Sequence, residues 1–169
     1  WWKNQGLGFT RTIAGNLTVG TGCQTFLDST NAAITINIGG SLTINGKLRV
    51  KYSIPGALTF TTAGNGDSGA TGEFNGIYAG NGNFTFSVLN LTSDAGGNCC
   101  GIKDGIGSSS ITISGVFTCA GNFYGIDAPT VLNNGVPTIS MGSLAYTGGI
   151  FMATNTHNSL GTATVSIAS

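Results

Sequence analysis

Apolar and polar residues alternate one by one over short stretches of this chain. Phe84-Thr85-Phe86-Ser87 and Ile111-Thr112-Ile113-Ser114 both do so, which is the period of a strand with one face buried. Thr and β-branched residues suit such a pleated surface. Between these stretches lie clusters of Gly, Asn, Asp and Ser, at 63–69, 94–98 and 132–135. Gly and Asn tolerate positive φ, so the clusters predict turns. No window carries apolar residues at helical spacing. The pattern predicts an all-β chain.

The alternating stretches recur. Thr, an apolar residue and then Thr, Ser or Asn stand together from Thr10, Thr35, Thr59, Thr85, Thr112, Thr138 and Thr164, at intervals of 25, 24, 26, 27, 26 and 26. The first match is poor, because Arg11 takes the apolar place. A second marker, Gly-Ile, recurs at Gly76, Gly101, Gly125 and Gly149, at intervals of 25, 24 and 24. A fixed period of this length marks a stacked repeat. It predicts a β-solenoid of about seven coils of 24–27 residues, with like residues about 4.8 Å apart and a rod about 30–35 Å long. Two columns should follow, Ile77-Ile102-Ile126-Ile150 and Phe60-Phe86-Ile113-Ile139-Val165. The alternative is a β-sandwich of hairpins, completed by a neighbour's strand, for which the segment around Gly8–Val19 would be the donor. Either way residues 1–169 form one domain, with 1–30 a diverged cap or association segment and 31–169 the array.

At the level of class, the array resembles the parallel β-helix passengers and adhesins of microbial cell surfaces. The resemblance rests on Gly76-Ile77-Tyr78-Ala79, Gly125-Ile126-Asp127-Ala128 and the Thr-X-Ser strands, and covers roughly 30–169.

Composition narrows the function. Only 7% of the residues are charged and the net charge is zero. With 40% apolar residues the chain is not disordered, and without a basic excess it is no nucleic-acid binder. No apolar run is long enough for a transmembrane helix. Low charge, abundant Thr, Asn and Gly, and four cysteines favour an extracellular or cell-surface setting. Residues 1–55 hold Lys3, Arg11, Lys47, Arg49 and Lys51 against Asp28, a net of +4, and residues 56–169 hold Lys103 against five acids, a net of −4. Along a rod this makes opposed ends, which favours a head-to-tail homopolymer. Trp1 and Trp2 would plug a neighbour or cap their own chain. Lys47, Arg49 and Lys51 would share one strand face, as a stripe for an anionic ligand or an edge that blocks pairing. Lys103 and Asp127 would stack as a surface ion pair worth at most about 1 kcal/mol.

The regular polar feature is an outward ladder: Thr35, Thr59, Thr61, Thr85, Ser87, Thr112, Ser114, Thr138, Ser140, Thr164 and Ser166. It resembles the Thr-X-Thr faces of ice-binding solenoids, and equally suits Thr as a plain outward strand residue. Cys119 is placed to pair with Cys99 or Cys100, of which Cys100–Cys119 is the candidate disulfide. Cys23 lies three coils from Cys99, about 14 Å, too far to bond. Asn16, Asn83 and Asn90 stand in glycosylation sequons. The chain opens on Trp1 rather than Met, as a processed product, a fragment or a sequence lacking its start would.

Catalytic chemistry finds little support. The one histidine, His157, stands among turn residues, and a nucleophilic triad needs an oriented base. Asp104 and Asp127 should alternate to opposite sides of their strands, which spoils an acid pair. No zinc spacing, calcium repeat or phosphate loop is present. The expectation is a non-enzymatic structural protein without metal or cofactor, a self-associating subunit or segment of a surface fibre, filament or layer. The alternative is an adhesin or binding module, for glycan or ice, using the hydroxyl ladder.

Overall fold

The computed structural model describes residues 2–5, 9–30, 33–52, 56–156 and 162–168, with backbone alone at 2–5, 26–30, 50–52 and 56. All described strand pairings are parallel. The chain is a β-solenoid of about six turns. That is slightly fewer than the seven expected, and the parallel pairing removes the sandwich and its donor strand.

After β1 (Trp2–Gln5), each of the first four turns lays down three strands. They are β2 (Phe9–Ile13), β3 (Leu17–Val19) and β4 (Gln24–Thr30), then β5 (Ile34–Ile38), β6 (Leu42–Ile44) and β7 (Lys47–Tyr52). Next come β8 (Gly56–Thr62), β9 (Gly66–Ser68) and β10 (Glu73–Tyr78), then β11 (Gly82–Val88), β12 (Leu91–Ser93) and β13 (Asn98–Lys103). In the fifth turn β14 (Ser109–Cys119) runs continuously over two faces before β15 (Asn122–Ala128), and in the sixth β16 (Pro137–Tyr146) does the same before β17 (Ile150–Thr156). β18 (Thr164–Ile167) begins a further turn on β16. Three faces result. The first stacks β2, β5, β8, β11, the start of β14 and β16, and β18. The second stacks β3, β6, β9, β12 and the ends of β14 and β16. The third runs β1-β4-β7-β10-β13-β15-β17.

Alternation puts every second side chain inside, where like stacks on like. Ile36, Phe60, Phe86, Ile111 and Ile139 form one buried column of the first face, and Ile77, Ile102 and Ile126 one of the third. Phe60, Phe74, Phe84 and Phe86 interlock at centroid distances of 5.3–6.2 Å. Each such ring contributes about 1.5–3 kcal/mol by burial.

Two expected columns need correction. Ile111, not Ile113, continues Phe86, and Thr154, not Ile150, continues Ile126. The first shift lies within β14, where Ser110-Ile111-Thr112 rather than Thr112-Ile113-Ser114 pairs with Thr85-Phe86-Ser87; the second has a local cause, since 129–136, between β15 and β16, is longer than the 104–108 link one turn earlier. The fully buried Asn133 holds it, accepting from Gly107 N and Gly135 N and donating to Gly105 O.

Corners have their own ladder. Asn16 Oδ1 accepts from Ser41 N at 2.8 Å and Ser41 Oγ from Asn65 N at 3.3 Å. Asn90 Nδ2 donates to Asn65 Oδ1 at 2.9 Å, and its Oδ1 accepts from Val116 N at 2.8 Å. These contacts satisfy backbone and amide groups where the sheets break.

Candidate functional site

Two surfaces and two ends concentrate the chemistry. On the first face, two polar columns point outward in register. One is Thr10, Thr35, Thr59, Thr85, Ser110, Thr138 and Thr164, and the other is Thr12, Asn37, Thr61, Ser87, Thr112, Ser140 and Ser166. Most of the expected ladder is thus brought together. Thr112 moves to the second column, Ser110 takes its place, and Ser114 falls beyond the last paired position, where the register shifts. Ser166 Oγ and Ser140 Oγ lie 3.0 Å apart, a direct link between neighbouring turns.

The third face holds an open groove of about 220 Å³, lined by Glu73, Asn75, Asn98, Cys100, Lys103, Tyr124 and Asp127. Its shape comes from the backbone. β10 gains a residue on β7 between Asn75 and Ile77, a bulge that bends the strand. Glycine is required at the bend, since a Cβ on Gly76 would sit 2.5 Å from Gly101 O and 2.5 Å from the Phe84 ring. Gly101 meets Gly125 O, and Gly125 meets Ala153 O, at the same 2.5 Å. The Gly of the Gly-Ile marker therefore serves close stacking of turns.

The groove's charges are paired across turns. Arg49 Nη2 donates to Glu73 Oε1 at 2.7 Å and Oε2 at 2.9 Å, and Arg49 Nε to Oε1 at 3.1 Å. Lys47 Nζ lies 3.3 Å from Glu73 Oε2, and Asn75 Nδ2 donates to Oε1 at 2.7 Å. The Arg49 guanidinium also lies 4.5 Å from the Tyr78 ring centre. Burial alone would raise the Glu73 carboxyl, but the donors Arg49, Asn75 and Lys47 and the Arg49 charge hold it below its ordinary value. One turn on, Lys103 pairs with Asp127, as the spacing predicted, and Asn155 Nδ2 donates to Asp127 Oδ1 at 2.7 Å. Burial would lower the Lys103 ammonium, yet the hydrogen bond and charge of Asp127, with Asp104 beyond, raise it. Burial and the Asp127 charge push the Tyr124 phenol up.

Other expected sites fall differently. β7 is an interior strand, so Lys47 and Arg49 block no edge, and both are engaged by Glu73. Trp1, His157 and the side chains of Trp2 and Lys51 lie outside the described residues. All four cysteines are free thiols. The Cys100–Cys119 disulfide is not formed, because Cys100 points out into the groove while Cys119 points into the core beside Cys99. Burial pushes Cys99 up to about 12, with Cys119 adding to it. The sequon residues Asn16 and Asn90 are built into the corner ladder, and Asn83 Oδ1 accepts from Ser108 N at 3.1 Å.

The ends differ from a simple pair of opposed poles. The acids of 56–169 sit at 67–127, in the third to fifth turns, and residues 129–169 carry no Asp, Glu, Lys or Arg. At the last turn Val165 and Ile167 are 42% and 51% exposed, although Ile139 and Met141 before them in the same columns are 0% and 4%. Ile150, Met152 and Tyr146 are exposed there too. At the first turn, Arg11 holds the column of Ile36 and lies 5.3 Å from the Phe9 ring centre. An inward-column charge on an edge strand opposes pairing.

The fold and these surfaces define a three-faced parallel β-solenoid. Comparison with family models, with curated proteins and with solved structures finds no match. No helix among the described residues is long and apolar enough to cross a membrane.

Proposed function

We propose that this protein is a non-enzymatic structural solenoid of a cell surface, a subunit or segment of a fibre or layer that joins its own kind end to end. The observation that carries the reading is the last turn. Among the described residues, β17, β18 and the Ser143–Tyr146 end of β16 have a partner on one side only, and Val165 and Ile167, whose columns would continue into a next turn, are exposed. Unpaired parallel edges and apolar surface together favour addition of another turn. A second copy supplies one of the same plan. Head-to-tail joining sets Arg11 of one copy over Val165 of the next, so Arg11 restrains the contact while apolar burial and strand pairing drive it.

Electron microscopy and sedimentation of the purified chain test this. Ordered filaments or concentration-dependent oligomers are expected, dispersed by Val165→Lys and lengthened by Arg11→Leu. A monomer at all concentrations would sink the reading. A second reading, a binding module working through the hydroxyl columns, is favoured by their unbroken register from Thr10 to Thr164. In its ice-surface form it requires thermal hysteresis that Thr85→Tyr abolishes.

A further inference from the structure

We propose that the groove on the third face binds a neutral, linear oligosaccharide laid along the solenoid axis. Three observations on this face support it, independently of how the ends associate. First, Asn75 lines the groove at only 2% exposure, and its Nδ2 is held by Glu73 Oε1 at 2.7 Å, which fixes the amide in one orientation. An amide oxygen so fixed at the groove floor is an acceptor that a ligand hydroxyl can meet. The Tyr124 side chain, on the next turn but one, lines the same groove, and no hydrogen bond of its hydroxyl occurs among the described residues. Among the described residues Asn98 Nδ2 reaches only Gly96 O, at the limiting 3.5 Å.

Second, the charges are spent. Arg49 and Lys47 are satisfied by Glu73, and Lys103 by Asp127. An anionic ligand would have to break the bidentate Arg49–Glu73 pair, whereas a neutral one leaves it intact. What remains for a ligand is a mixture: the Asn75 acceptor, the Asn98 donor, spare Lys103 N–H groups and Asp127 lone pairs. Hydroxyl groups both donate and accept, and suit such a mixture.

Third, the direction is fixed by the fold. The lining residues come from β10, β13 and β15, interior strands whose backbone groups are already paired, so a peptide cannot add here as a strand. The groove instead runs across the strands and presents a new set of polar groups every 4.8 Å or so. That step is close to the length of one ring in an extended sugar chain. The Tyr124 ring offers an amphipathic surface to a ring's C–H edge.

Native electrophoresis in gels containing soluble mixed-linkage β-glucan, arabinoxylan or galactomannan tests the proposal, with polygalacturonate as the anionic comparison. At least one neutral polymer should retard the protein. Tyr124→Ala and Asn98→Ala should each weaken that retardation about five-fold or more, the worth of one lost neutral hydrogen bond. Thr85→Val, on the first face, should leave it unchanged, and circular dichroism melting should show all variants folded. The proposal is overturned if no neutral polymer retards the chain. It is overturned equally if only polygalacturonate does, or if both groove variants bind as the parent does.

Discussion

Glu73→Gln removes the charge at the centre of the best-defined ion pair while keeping the side chain's shape. In the parent, the carboxylate takes three N–H···O contacts from Arg49 at 2.7–3.1 Å, one from Asn75 at 2.7 Å and a 3.3 Å contact from Lys47. Glutamine retains one acceptor oxygen and leaves Arg49, 17% exposed at its side chain, without a counter-charge. Hydrogen bonds to charged groups contribute about 1.5–3 kcal/mol each when buried. Both side chains here are partly wet, which discounts the total to about 1.5–2 kcal/mol. For a chain of this size that lowers the melting temperature by roughly 3–8 °C. The effect must depend on pH. The folded carboxyl lies below its ordinary 4.5, so its stabilisation is complete above 4.5 and is lost as pH falls through the folded value. Thermal or urea unfolding of parent and variant should therefore differ at pH 7 and converge in acid. A gap that persists unchanged at the acid end, or no gap at neutral pH, would refute the electrostatic account.

Three further outcomes follow from stacking. Gly101→Ala places a Cβ 2.5 Å from Gly125 O and 3.1 Å from Ser109 Cβ, so two backbones must part; a loss of about 2–3 kcal/mol is expected in urea unfolding. Asn90→Ala removes the bonds to Asn65 and Val116 N and should cost about 1–2 kcal/mol, against little for a substitution at the exposed Thr130. Native thiol labelling followed by mass spectrometry should modify Cys23 quickly and spare the other three, which are buried and shifted up. Rapid labelling at a second site would contradict the packing.

The fold was legible because stacking makes one rule repeat. Alternation gave the strands, and the Thr and Gly-Ile periods gave the turn length. Errors entered where the period was carried through a loop of changed length. The extra residues at 129–136 made Thr112 look like the partner of Thr138, although Ser110 stacks there. The Lys103–Asp127 pair was readable from its spacing of 24 residues. Arg49–Glu73 has the same spacing, but the region before residue 56 lacks the Gly-Ile marker that sets such a pair in register. The corner ladder was equally open to reading, at separations of 25, 24 and 25. The groove was not, because a bulge depends on backbone that no spacing reveals. Charge summed by halves does not locate the ion pairs within the chain, which join adjacent turns: Arg49 with Glu73 and Lys103 with Asp127.

A chain whose contacts nearly all join residues one turn apart also folds in a particular way. Every strand pairing closes a loop of nearly constant length, so no step requires the two termini to meet. The entropic cost of closure is then about the same for each added turn. Folding is free to start wherever a turn and its neighbour are strongest, and then to extend both ways like a zipper. The phenylalanine-rich third and fourth turns suit that start. Damage should spread as little as order does: a defect in one turn weakens its two neighbours and leaves distant ones to hold. Amide exchange should accordingly be slowest in β8, β10 and β11, and should quicken toward β18, where fraying costs least.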